Sequence, residues 1–233
     1  MFLTRVPVGL GAAPLPLSTA VPWFPVVGAG IGAAVAGIYA GAEWGLPPVP
    51  AAALAVAFGL VLTGAFHLDG LADVADAVAG GSTRERRLEI LDDSRLGTFG
   101  TAAVALQLMI QATAIAALAP ADALPALVAA HALGRGGAIA VMGLGRPAKE
   151  HGLGVDYLAD LTTRQVVVGV TLGVASTSLL GWAGLSAIGA AMMVIATVMV
   201  IADRAFGGIS GDVLGASEQL TETAVLLVAV AAV

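Results

Sequence analysis

Seven runs of this chain are nearly free of charge and are long enough, or almost so, to cross a hydrocarbon layer. They cover about residues 23–42, 49–66, 101–119, 124–143, 166–181, 185–202 and 223–233. A bilayer core about 30 Å thick takes roughly 20 apolar residues per helix, so the last run is too short to cross alone. Inside lipid every backbone N–H and C=O must find a partner within the protein, which leaves helices or a closed barrel. A barrel would show alternating segments of about ten residues, and that period is missing. The expected fold is therefore all-α, a polytopic integral membrane helical bundle of about six to seven transmembrane helices, with residues 1–233 as a single domain. Composition agrees, because 58% of the residues are apolar and only 11% are charged, too few to clothe a water-soluble surface. Frequent small residues, among them Gly28, Gly30, Gly32, Ala33 and Gly37, would let helices approach closely.

The connecting segments alternate in charge. Arg5 precedes the first run; Arg84, Arg86, Arg87 and Arg95 follow the second; Arg146, Lys149 and Arg164 follow the fourth; Arg204 follows the sixth. The other connectors carry no Lys or Arg, and Arg135 alone lies inside a run. Basic residues are retained on the cytoplasmic side, so the amino end and the long polar loops are expected in the cytosol, with the chain in the cytoplasmic (inner) membrane. Pro7, Gly9, Gly11, Pro14 and Pro16 interrupt the stretch where a signal peptide would need a continuous apolar core, so no cleavable leader is expected. The net charge of −6 argues against nucleic acid as a partner. With no cysteine, thiolate metal sites and cysteine nucleophiles are excluded.

Charge is concentrated in one loop, where residues 69–95 hold 7 acids and 4 arginines. Asp69, Asp73 and Asp76 stand at i, i+4 and i+7, which on a helix places them within an arc of about 60°. Carboxylates so crowded resist ionising unless a cation lies among them. Magnesium suits such a place, since it takes one or two protein carboxylates and completes its shell with water and phosphate oxygens. Ser82 and Glu85 have capping-box spacing and predict a short helix over about 83–92. Two glycine-rich segments flank this chemistry. The segment 93–100, with Ser94, Arg95 and Gly97, leads into the third run as a candidate phosphate cradle, and 207–215, with Ser210, Gly211 and Asp212, follows the sixth. Arg135, with His131 one turn before it, is a candidate either for substrate contact or for bonding between helices. His67 is a candidate proton acceptor two residues before Asp69.

Taken in order, five strings have a familiar pattern: FLTRVP at 2–7, FPVVG at 24–28, HLDGLADVAD at 67–76, DSRLGTFG at 93–100 and GGISGDVLGA at 207–216. With them the chain resembles the cobalamin synthase family, the adenosylcobinamide-GDP ribazoletransferases, over nearly its whole length. Ser210 stands where that family usually has threonine and keeps the hydroxyl. The resemblance implies one integral membrane catalytic domain with cytosolic catalytic loops. It implies a magnesium-dependent transfer of the adenosylcobinamide phosphate moiety of adenosylcobinamide-GDP to alpha-ribazole or its 5'-phosphate, with release of GMP. It further implies metal binding by Asp69, Asp73, Asp76 and Asp212, a general base among the aspartates or at His67, and a phosphate contact at Arg95 supported by Ser94, Gly97, Ser210 and Gly211. Arg5, Arg135 and Arg146 are further candidates for the acceptor phosphate or corrinoid side chains. The implied partners are the two substrates and the lipid bilayer, and association into a homo-oligomer is left open.

Two alternatives compete. A CDP-alcohol phosphotransferase also carries aspartates around Asp-Gly, but its usual pattern has Ala-Arg where this chain has Asp73-Val74. A cation or metabolite transporter would use the acidic cluster as its ion site, although such sites usually lie near the membrane midplane and these aspartates fall at a span end.

Overall fold

The computed structural model describes residues 3–7, 17–148 and 160–233, and among them it contains helices and no strand. Phe2, Gly9, Gly11, Pro14, Pro16 and Lys149 lie outside the described residues. The helices are α1 (Phe24–Ala42), α2 (Pro48–Thr63), α3 (Phe66–Gly80), α4 (Arg84–Leu91), α5 (Thr98–Ala116), α6 (Pro120–Leu144), α7 (Thr163–Ser176), α8 (Ala183–Phe206) and α9 (Gly211–Ala232). A short helical lead-in from Leu17 to Trp23 precedes α1, and a tight 3-10 turn over Thr177–Leu180 extends α7. Six of these units are long and apolar enough to cross a membrane: Ser18–Ala42, Thr98–Ala116, Pro120–Leu144, Thr163–Leu180, Ala183–Phe206 and Gly211–Ala232. The protein is an all-α, multi-pass membrane bundle.

The last crossing corrects the expectation of a short run at 223–233. α9 has 22 residues, about 33 Å at the α-helical rise. A search for an unbroken apolar run loses its first part because Ser217, Glu218, Thr221, Glu222 and Thr223 interrupt it around its middle, yet all five are buried in the bundle. Gln107 on α5, for instance, donates to the Gln219 carbonyl at 2.9 Å and to Thr223 Oγ1 at 2.7 Å.

The second run is also shorter than expected. α2 stops at Gly64 and Ala65, both with left-handed backbone (φ 68° and 56°), and α3 leaves at 94° to it. A left-handed alanine costs about 1–2 kcal/mol, so the surrounding packing holds this corner in place. α4 is capped by Thr83 rather than by Ser82: the Thr83 hydroxyl accepts the Arg86 N–H at 3.2 Å.

Contacts define the two ends of the bundle. At one end the Arg5 N–H donates to Leu62 O at 2.8 Å, the Gln165 side chain donates to Ser18 O at 3.0 Å, and Ile209 N–H donates to Arg146 O at 2.8 Å. At the other end the Tyr39 hydroxyl donates to Leu118 O at 3.0 Å. The helices between pack through small residues, as expected. Gly28 and Gly32 lie against the backbone of His131 and Leu127 on α6, where a side chain would collide; Gly30 and Gly37 face open space instead. Trp23, Trp44 and Trp182 are exposed near span ends, as an aromatic belt requires.

Candidate active site

α3 lies across the first of these ends and rests on the start of α9. The two backbones touch because neither carries a side chain at the contact: a Cβ on Gly70 would come within 2.8 Å of the Asp212 carbonyl oxygen, and one on Gly215 within 3.0 Å of the His67 carbonyl oxygen. Two acidic strings separated by more than 130 residues thereby meet. Asp69 is exposed, Asp73 and Asp212 are half-buried, and the charges of Asp69, Asp212 and Asp76 all act on Asp73. Ser210 begins α9, its hydroxyl accepting the Val213 N–H at 3.3 Å and donating to Asp212 Oδ2 at 3.2 Å. The electropositive start of α9, with Gly211, thus borders the acidic face.

Asp76 has a different occupation from the one its spacing suggested. Its Oδ2 accepts the Gly97 N–H at 2.7 Å and its Oδ1 accepts the Gly100 N–H at 2.8 Å, so the carboxylate caps the start of α5. The N–H groups expected to cradle a substrate phosphate hold the chain's own carboxylate instead, and a Cβ at either glycine would strike it. Asp76→Ala should lose about 0.5–2 kcal/mol of stability, the usual worth of a cap. Thermal unfolding in detergent without added metal measures this. A purely metal-binding Asp76 would leave that melting temperature unchanged.

The arginines are dispersed. Arg95 is exposed and grips Asp93, with Nη2 to Oδ2 at 2.6 Å and Nε to Oδ1 at 2.9 Å, and this contact holds the Asp93 carboxyl at about 2. A phosphate at Arg95 must therefore share the guanidinium with Asp93, through Nη1, or displace it. Ser94 is exposed beside it. Arg5 packs on Gly64 at the α2–α3 corner. Arg146 reaches Asp203 at 2.8 Å and the Gly207 carbonyl at 3.2 Å, while Arg84 covers Gly207 from α4.

Arg135 stands apart from all of these. It is buried within the bundle, and its Nη1 lies 2.8 Å from Glu218 Oε1 and 2.9 Å from Glu222 Oε1. His131 Nδ1 also contacts Glu222, and His67 Nδ1 lies 3.4 Å from Glu218 Oε1. Of the two roles open to Arg135, bonding between helices is the one the geometry fills. Glu218 and Glu222 were missed by reading along the chain. Their signal was an i, i+4 acidic pair able to face the i, i+4 pair His131 and Arg135.

A family model described as cobalamin-5-phosphate synthase matches residues 1–230. The chain is 40% identical over 236 residues to the adenosylcobinamide-GDP ribazoletransferase of Bradyrhizobium diazoefficiens, covering 99% of this chain and 90% of that protein. It is 39% identical to the enzyme of the same name from Azorhizobium caulinodans (97% and 91% covered), and 39% identical to that from Pseudomonas aeruginosa (97% and 93% covered). No solved structure matches. The match spans every string that meets at the α3–α9 contact, and the chain belongs to the cobalamin-5-phosphate synthase family.

Proposed function

We propose that this protein is an adenosylcobinamide-GDP ribazoletransferase, joining the adenosylcobinamide phosphate moiety to alpha-ribazole or its 5'-phosphate and releasing GMP. The observation that carries this reading is the convergence of Asp69 and Asp73 on α3 with Asp212 on α9 at one end of a membrane bundle of this family. The loops at this end carry the arginines, so it faces the cytosol of a cytoplasmic membrane by the retention rule for basic residues. An amphiphilic corrinoid would approach from the interface. α3 turns away from the axis of α2 there and presents its acidic face at the bundle end.

The residues present fit magnesium. Asp69, Asp73 and Asp212 offer hard oxygen donors from two helices, in number enough for an ion that keeps water and takes substrate phosphate oxygens as well. They are more open than a closed protein cage, as a site that shares its ion with a diphosphate must be. When bound, the ion neutralises charge that gathers on the diphosphate as GMP departs. The chain's own residues do the rest. Asp69, Asp73 and Asp212 would hold the ion against the donor's diphosphate, and an aspartate of the cluster accepts the proton of the ribose 3'-hydroxyl as its oxygen attacks the phosphorus on the cobinamide side and GMP leaves. His67 is buried against Glu218 and is not placed for that proton. The start of α9 adds a fixed positive end beside the transferring phosphate. Arg95, Arg5 and Arg146, on the polar loops of the same end, are available to the acceptor phosphate.

The test uses purified protein in lipid nanodiscs with magnesium, adenosylcobinamide-GDP and alpha-ribazole 5'-phosphate. GMP and the joined corrinoid should appear in equal amounts, and EDTA should abolish both. Turnover that survives EDTA removes the metal from this reading. Folded protein that releases no GMP removes the transferase.

A further inference from the structure

Five ionisable side chains of the bundle, His67, His131, Arg135, Glu218 and Glu222, take no part in the chemistry above, yet they form one connected set. Arg135 Nη1 lies near Glu218 Oε1 (2.8 Å), Glu222 Oε1 (2.9 Å), the His131 carbonyl (2.9 Å) and His131 Nδ1 (3.4 Å). Gln219 donates to Glu218 Oε2 at 2.9 Å and to Glu222 Oε2 at 3.3 Å, and His67 closes the set on Glu218. Donor atoms of His131, Glu218 and Glu222 all lie within 4.8 Å of one another, a spacing that suits a metal ion. The Arg135 guanidinium already stands among them, so the cation of this cluster is the chain's own.

Nor is this a substrate pocket. The adjoining cavity, bounded by Thr63, His67, Gln111, His131, Arg135 and Glu222, measures about 50 Å³, enough for a few waters and not for a ribose phosphate. What the set does have is a place in the fold. His67 belongs to α3, two residues before Asp69; His131 and Arg135 belong to α6; Glu218 and Glu222 belong to α9, within two to three turns of Asp212. The network therefore joins the two helices that carry the acidic site, one layer deeper in the bundle. Charged groups in such a setting are held by geometry, because any member left unpaired is costly in lipid.

We propose that Arg135, Glu218 and His67 are positioning residues: Arg135 draws in Glu218 by ion pairing while hydrogen-bonding Glu222, Glu218 lies against His67 through the same Oε1, which has no hydrogen bond of its own, and the attraction across these contacts holds α3 in register with α9 so that Asp69 and Asp73 face Asp212. The proposal rests on the active-site reading above, but its structural half can be tested without activity. The chain contains no cysteine, so nitroxides can be attached at Ala79→Cys on α3 and Leu227→Cys on α9, both exposed positions, with no other label. Pulsed-EPR distances would be compared in parent, His67→Gln and Glu218→Gln backgrounds, all in nanodiscs. His67→Gln is the milder change and covers a Glu218→Gln variant that fails to insert.

The expected result is a narrow distance distribution in the parent and a shifted or broadened one in the variants. Turnover should fall about 10- to 100-fold in kcat, the cost of displacing reacting groups by about an ångström. The KM values for both organic substrates should stay near parent, and the magnesium needed for half-maximal rate should rise. An unchanged distribution overturns the proposal, whether or not activity is lost, since loss would then mean direct contact with reactants. Intact kcat with a raised KM also overturns it. A parent that releases no GMP tells against the transferase alone, and the distance distributions still decide the register.

Discussion

Asp73→Asn should lower kcat for GMP release by about 10²–10³-fold, the scale on which one preorganised electrostatic contact contributes to a transition state. The substitution keeps the size of the side chain and removes its charge at the position where the fields of Asp69, Asp76 and Asp212 meet. Asp212→Asn should follow it, because its carboxylate faces the same space from α9. The expected losses differ from that of Asp76→Asn. Asp76 already spends an acceptor on Gly97 and another on Gly100, so its replacement should weaken the fold as well as the rate. The measurement is single-turnover GMP release together with Mn²⁺ binding by EPR in the absence of nucleotide. Asp73→Asn should bind the ion more weakly and melt close to the parent. Parent-like turnover by Asp73→Asn would end the assignment of the acidic face as the reaction centre.

Much of this was legible in the sequence, and the unread part has a common physical cause. Long apolar runs and one-sided arginines follow from the solvent, which acts on each segment separately, so the crossings and the shared end of the loops could be read locally. The spacing of Asp69, Asp73 and Asp76 likewise reports one helix face. It does not report what lies opposite that face. Asp76 meets backbone donors 21 and 24 residues away, and nothing in the i, i+4, i+7 pattern says that the Gly97 and Gly100 N–H groups would be satisfied from inside the chain. α9 failed for the complementary reason. An unbroken apolar run is what a helix facing lipid on all sides would need, whereas Glu218 and Glu222 meet Arg135 and His131. Polar residues that pair across helices look like a loop until both helices are known. Ser82 lost the cap to its neighbour Thr83, a one-residue error of the kind expected at helix ends, where several hydroxyls compete.

Gly70→Ala should cost about as much activity as a lost contact, although it adds no charge and removes none. The new methyl would stand 2.8 Å from the Asp212 carbonyl oxygen and 2.9 Å from its Cα, and both are backbone atoms that cannot rotate aside. Ordinary contact needs several tenths of an ångström more, so α3 must lift from α9. A displacement near 1 Å between groups that share a reacting centre is worth up to about 10²-fold in rate, and overpacking of this kind destabilises by about 1–3 kcal/mol. Gly70→Leu should prevent the two helices from docking and abolish turnover. Gly30→Ala is the control, since a Cβ there meets nothing within 4 Å and should leave both rate and melting temperature near parent. If placement rather than charge is what the α3–α9 contact supplies, Gly70→Ala will also bind Mn²⁺ more weakly with every carboxylate still present. Full turnover and parent-like Mn²⁺ affinity in Gly70→Ala would mean that Asp69 and Asp73 act without Asp212, and the two-helix site would have to be abandoned.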